Sequence, residues 1–141
     1  MRAPYTQLYL HLVWATWDRL PLLTPTVMPQ VYDCLQAECT RLRVDLLAIG
    51  GIEDHVHLLV RTPPSISVSY LVQQLKGVSS HMANHAIPKD FAFKWQGAYG
   101  AFAVSKRLVP QACDYIVNQE QRHRAGQVHQ TLELGPETGP T

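Results

Sequence analysis

Two segments of this sequence gather residue types that can work on a phosphate ester. The first is Asp54-His55-Val56-His57-Leu58-Leu59-Val60. Alternate residues of a strand project from one face about 6–7 Å apart, so His55 and His57 can converge on one ion while Val56 enters the core. A divalent cation there would neutralise a phosphate oxygen and make the phosphorus easier to attack. Two histidines do not close a metal site, and ordinary hydrogen bonding accounts for the same spacing equally well. By ligand chemistry alone, imidazoles suit zinc, iron, copper and nickel better than magnesium.

The second segment runs from Ala112 to His123. On a helix, Tyr115, Gln119 and His123 fall at successive i, i+4 positions and share a face. If that face meets the histidine strand, the Gln119 carbonyl completes the metal shell and the Tyr115 oxygen lies beside the activated phosphate. A phenol has a pKa of about 10 and is a poor nucleophile at neutral pH without a cation or base, so metal and tyrosine need one another. Taken by itself the segment also reads as an amphipathic surface helix with a half-buried tyrosine. The chemistry requires a reachable phenol: one that stayed buried, or far from both imidazoles, in every assembly and conformation would rule it out.

The elements that must position these groups follow from periodicity and turn residues. Tyr5 to Thr16 reads as a first strand, ended by the turn-like Asp18 to Pro21. A helix is predicted from about Pro25 to Arg43, with Val27, Val31, Leu35 and Leu42 at near-helical spacing. Val44 to Ile49 and His55 to Arg61 form an antiparallel hairpin across Gly50, Gly51, Glu53 and Asp54. A second helix spans Val68 to His85, a strand with an irregular entrance Phe93 to Val104, and a third helix Leu108 to Arg124. This order matches a ferredoxin-like α+β plan, an antiparallel sheet with helices packed on one face. Residues 1–125 form one domain and residues 126–141 a loose polar tail rich in Gly and Pro.

Composition narrows the class. At 141 residues, 46% apolar and 16% charged, the chain can bury a core without disulfides or a structural metal. No apolar run approaches the ~18 residues of a membrane span, and the start lacks a leader pattern, so a cytoplasmic location is expected. Cys34, Cys39 and Cys113 match no metal-knuckle spacing and read as buried thiols in a reducing compartment. The net charge of +1 does not itself announce a nucleic-acid partner. A local basic bias does exist, with Lys106, Arg107, Arg122 and Arg124 flanking the last helix against Asp114 and Glu120.

The ordered set resembles the single-tyrosine HUH transposases of small insertion sequences, where the letters denote His, a hydrophobic residue and His. His55, Val56 and His57 match those letters. Similar pieces occur in the family's order: Leu8 to Trp14, Leu75-Lys76-Gly77 with Ser79 and Ser80, Trp95 with Tyr99, and Tyr115-Ile116 with Gln119. The resemblance implies an enzyme that acts on single-stranded DNA and recognises hairpins at element ends. Tyr115 would attack a phosphate, form a 5′-phosphotyrosine and free a 3′-OH. It also implies Mg2+ or Mn2+ on His55, His57 and Gln119, a homodimer with active sites shared between subunits, and no membrane partner.

Lys76, Ser79, Ser80, Lys106, Arg107 and His123 are candidate DNA contacts, Lys76, Ser79 and Ser80 equally readable as a solvated helix edge and His123 also as a group behind the metal ligands. Trp95 and Tyr99 could stack on bases or pack in the core. His81 and His85 have no acid or cysteine partner and read as structural or DNA-facing. Two rivals stand beside the transposase reading. One is a domesticated or inactive relative that binds hairpin nucleic acid without cleaving it. The other is a metal-dependent hydrolase using water in place of Tyr115.

Overall fold

The computed structural model describes residues 4–119. Its elements are β1 (Tyr9–Ala15), α1 (Val27–Arg41), β2 (Asp45–Ile52), β3 (His55–Arg61), α2 (Val68–Ala86), β4 (Gly100–Val104) and α3 (Val109–Val117). The four strands form one sheet in the order β2-β3-β1-β4, and every neighbouring pair is antiparallel. Both β1 and β2 run against β3, so α1 is a crossover between parallel strands with β3 inserted between them, the expected α+β plan. The boundary at residue 125, the residues after it, and His123, Arg122 and Arg124 lie outside the described residues.

The main core fills one face of the sheet. On α1, Val27, Val31, Leu35 and Cys39 recur every four residues and are buried, as are Leu71, Val72, Leu75 and Ala83 on α2. These stripes meet Leu12 and Trp14 of β1 and Val56, Leu58 and Val60 of β3. Cys39 is a buried thiol whose pKa burial pushes up to about 12, in line with a packing role, while Cys34 and Cys113 are partly buried and unpaired by disulfide.

The plan of helices on one face holds for α1 and α2, whereas α3 lies on the other. A second, smaller cluster there joins Ala48 of β2 and Leu59 of β3 to Ala112, Tyr115 and Ile116 of α3. Strand alternation decides this: Leu59 shares its face with His55 and His57, opposite Val56 and Leu58.

Gly50 and Gly51 lie within β2, not in the turn, which Glu53 and Asp54 make. The reason is close approach. A Cβ at Gly50 would sit 2.0 Å from the carbonyl oxygen of Ile116, so α3 rests backbone against backbone on β2. Gly50→Ala is expected to destabilise the protein by about 2–3 kcal/mol, because the obstructing atom is main chain and cannot rotate away. A fall in the urea midpoint at unchanged slope would show it, and an unaltered midpoint would contradict the close packing.

β4 is shorter than the predicted Phe93–Val104. The chain before it turns inward, with Phe93 and Trp95 buried and Trp95 making only an isolated bridge to Thr16. β2 carries one irregularity, a bulge between Leu46 and Ala48 that leaves Leu47 exposed.

Candidate active site

β3 sets His55 and His57 side by side on the face covered by α3. Both are fully buried, with ring centroids 5.0 Å apart. α3 brings Tyr115 to the same place, its ring 6.1 Å from that of His57 and nearly perpendicular to it. Gln119 follows the end of α3 and is 1% exposed. The two sequence segments therefore meet within one chain.

Each imidazole is fixed through its Nδ1. That of His55 lies 2.8 Å from Asp54 Oδ1, and that of His57 lies 2.8 Å from Nε2 of His11 on β1. Asp54 is in turn gripped by Arg19, with Nε 3.3 Å from Oδ2 and Nη2 3.4 Å from Oδ1. Burial alone would raise the Asp54 carboxyl, but the His55 hydrogen bond and the charges of His55 and Arg19 outweigh it, and the net pull is downward. Arg19 reaches this position from a tight turn in which it and Asp18 both take left-handed backbone, at φ 51° and 54°. Such conformations are unfavourable for residues other than glycine, so the bonds to Asp54 help to stabilise that turn.

The donor set fits a hard divalent cation better than the histidines alone suggest. Among the described residues no three His, Cys, Asp or Glu side chains form a metal-ready group. The buried amide of Gln119 offers an oxygen of the kind that suits magnesium or manganese.

In this arrangement the site is shut. Tyr115 is 3% exposed and packs between Ala48, Leu59 and Ile116.

The candidate DNA contacts divide. Lys106 and Arg107 form an exposed turn just before α3. Ser80 is half-buried and bonds back to the Gly77 carbonyl at 3.4 Å. Ser79 is fully buried and accepts a hydrogen bond from Trp95 Nε1 at 2.9 Å, which makes it part of the core. Lys76 donates to the carbonyls of Gln96 and Ala98 at 2.7 and 2.8 Å, pinning the segment before β4 to α2. Burial draws its pKa down to about 8, so it remains an ammonium at neutral pH. Trp95 packs edge-on against Trp14 and Phe93 and is a core residue. His81 and His85 stack on each other at the surface, 4.1 Å between centroids.

Sequence reasoning passed over His11, Asp54 and Arg19 as site residues. The signal for His11 was present: it is the one strongly polar residue in Tyr9–Ala15, on the face opposite Leu12 and Trp14. The sequence marks Asp54 only as a turn residue.

Comparisons with known proteins show the family and the fold. A family described as "Transposase IS200 like" matches residues 4–119. The chain is 27% identical over 121 residues to the ISDra2 transposase TnpA of Deinococcus radiodurans, covering 82% of this chain and 86% of that protein. It is 29% identical over 123 residues to the transposase for insertion sequence element IS200 of Salmonella typhimurium, covering 83% and 80%. A crystal structure of a candidate transposase from Deinococcus radiodurans superposes with a TM-score of 0.69 at 28% identity, over 90% of this chain and 95% of that one. The REP-associated tyrosine transposase bound to a REP hairpin shares the fold, with a TM-score of 0.64 at 15% identity over 91% and 74% of the two chains.

Proposed function

Because the chain belongs to the IS200-like transposase family, we propose that it cleaves and rejoins single-stranded DNA, with Tyr115 as the nucleophile. The observation that carries this is the meeting of Tyr115 with His57, ring centroids 6.1 Å apart, on one buried face. The phenol oxygen bonds to the scissile phosphorus as the bond to the 3′ oxygen breaks, giving a 5′-phosphotyrosine and a free 3′-OH. The linkage conserves the energy of the broken ester, so a DNA 3′-OH can reverse it without ATP.

His55 and His57, each through Nε2 because Nδ1 is engaged, would hold Mg2+ or Mn2+ together with the Gln119 amide oxygen. When bound, the cation supplies Lewis-acid polarisation of the phosphate and lowers the cost of ionising a nearby phenol. The protein's own part is orientation. Asp54 and the β3 backbone fix one imidazole, and α3 carries the phenol to the other.

The substrate class is single-stranded DNA with hairpin ends, a reading supported by the hairpin-bound neighbour of the same fold. The exposed Lys106 and Arg107 beside α3 are suited to its phosphates, and His123 is a further candidate. The shut site requires α3 to open, and a homodimer in which each α3 completes the other subunit's site is one way to achieve this. No helix among the described residues is long and apolar enough to cross a membrane.

The test is to incubate the protein with labelled single-stranded DNA carrying a hairpin, in Mn2+, and to look for an adduct that survives denaturation. Mass spectrometry should map it to Tyr115. Hairpin binding with no adduct under any metal would identify the binding-only relative instead.

A further inference from the structure

His11 is fully buried in a strand whose other inward residues are apolar, and leucine there would cost less desolvation. Its position is specific. It pairs across β1 and β3 with Leu59 and stands diagonally from His57 on the same face, with Phe102 of β4 behind it, ring centroids 6.0 Å apart. Its Nε2 lies 2.8 Å from His57 Nδ1. Two neutral imidazoles in such contact share one proton, held either on His57 Nδ1 or on His11 Nε2. Only the first arrangement makes His57 Nε2 a lone-pair donor, because a neutral ring carries a single N–H.

We propose that His11 is the positioning residue for His57: its Nε2 accepts a hydrogen bond from the His57 Nδ1–H and thereby fixes the ring orientation and tautomer in which His57 Nε2 binds the divalent cation. His11 does for His57 what Asp54 does for His55, but from a neighbouring strand and as a neutral acceptor. This rests on the reading of His55 and His57 as metal ligands.

The test measures binding, not turnover. Mn2+ affinity is determined by calorimetry for the unaltered protein, His11→Phe, and His11→Gln, whose amide oxygen can still accept from His57. His11→Phe should bind about 10- to 100-fold more weakly, the usual effect of losing such a partner, and His11→Gln should recover most of the loss. Nitrogen-15 imidazole spectra of the metal-free unaltered protein supply a second readout, which needs no folded variant: His57 should carry its proton on Nδ1. Unchanged Mn2+ affinity in His11→Phe, or a His57 proton on Nε2, would overturn the proposal while leaving the metal ligands in place. Electron spin-echo spectra that count three imidazoles on Mn2+ would also overturn it, because His11 would then be a ligand itself. Failure of the unaltered protein to bind Mn2+ would instead overturn the ligand reading and this inference with it.

Discussion

Tyr115→Phe is expected to abolish the covalent adduct and to slow strand cleavage by at least about 10^4-fold, the scale on which losing a covalent nucleophile acts. The substitution removes one oxygen and keeps the ring that packs against Ala48, Leu59 and Ile116. Its cost in stability should stay within about 1–2 kcal/mol, that of one buried hydroxyl's hydrogen bonding. Hairpin affinity should therefore be nearly unchanged while chemistry disappears, a split readable by comparing DNA retention on a native gel with adduct on a denaturing one. A water-using hydrolase predicts the opposite, since the variant would remain active. Persistent cleavage in Tyr115→Phe would remove the tyrosine from the mechanism.

His57→Ala should be nearly as damaging, lowering cleavage by about 10^3-fold or more through loss of a ligand to an electrophilic metal. The ring also touches His11, His55 and Tyr115, so alanine leaves a hole as well as an incomplete site. His57→Asn, which fills more of that space, separates the two effects. Millimolar Mn2+ should restore part of the activity if affinity is what was lost. Mixing His57→Ala with Tyr115→Phe adds a test of assembly. Sites shared across a two-fold dimer should recover roughly a quarter of normal activity, since half the dimers are mixed and each has one intact site. No recovery would mean that each chain uses its own α3, as in the shut arrangement.

Much of the site could be read from residue order because two periodicities carry it. Alternation along β3 places His55 and His57 together, and helical phasing turns Ala112, Tyr115 and Ile116 to the sheet, whereas α3 ends at Val117, short of the helix expected through Gln119. The helical stripe of α1 was equally plain, since Val27, Val31 and Leu35 recur at i, i+4. What remained hidden depends on contacts between elements. No local pattern tells which face of the sheet α3 covers, because its apolar side would fit either. Gly50 looked like a turn residue, and only the proximity of Ile116 explains a glycine inside a strand. Ser79 and Lys76 looked like a polar edge of α2, yet Trp95 and the carbonyls of Gln96 and Ala98 draw them into the structure. His11 needed the β1–β3 pairing before its partner could be named.

The bulge in β2 bears on how closely stability and chemistry are joined. Asp45 and Leu46 face Arg61 and Val60, whereas Ala48 faces Leu59, so the surplus residue Leu47 is taken up at the end of β3 remote from His55. Beyond it the partners run without interruption to Gly50 opposite His57 and Ile52 opposite His55. A slip of β3 by one position would exchange its two faces, driving His55 and His57 into the main core and taking Val56, Leu58 and Val60 out of it. The hydrophobic penalty against that slip guards the alignment of the histidines, so misaligning them would require giving up the fold itself.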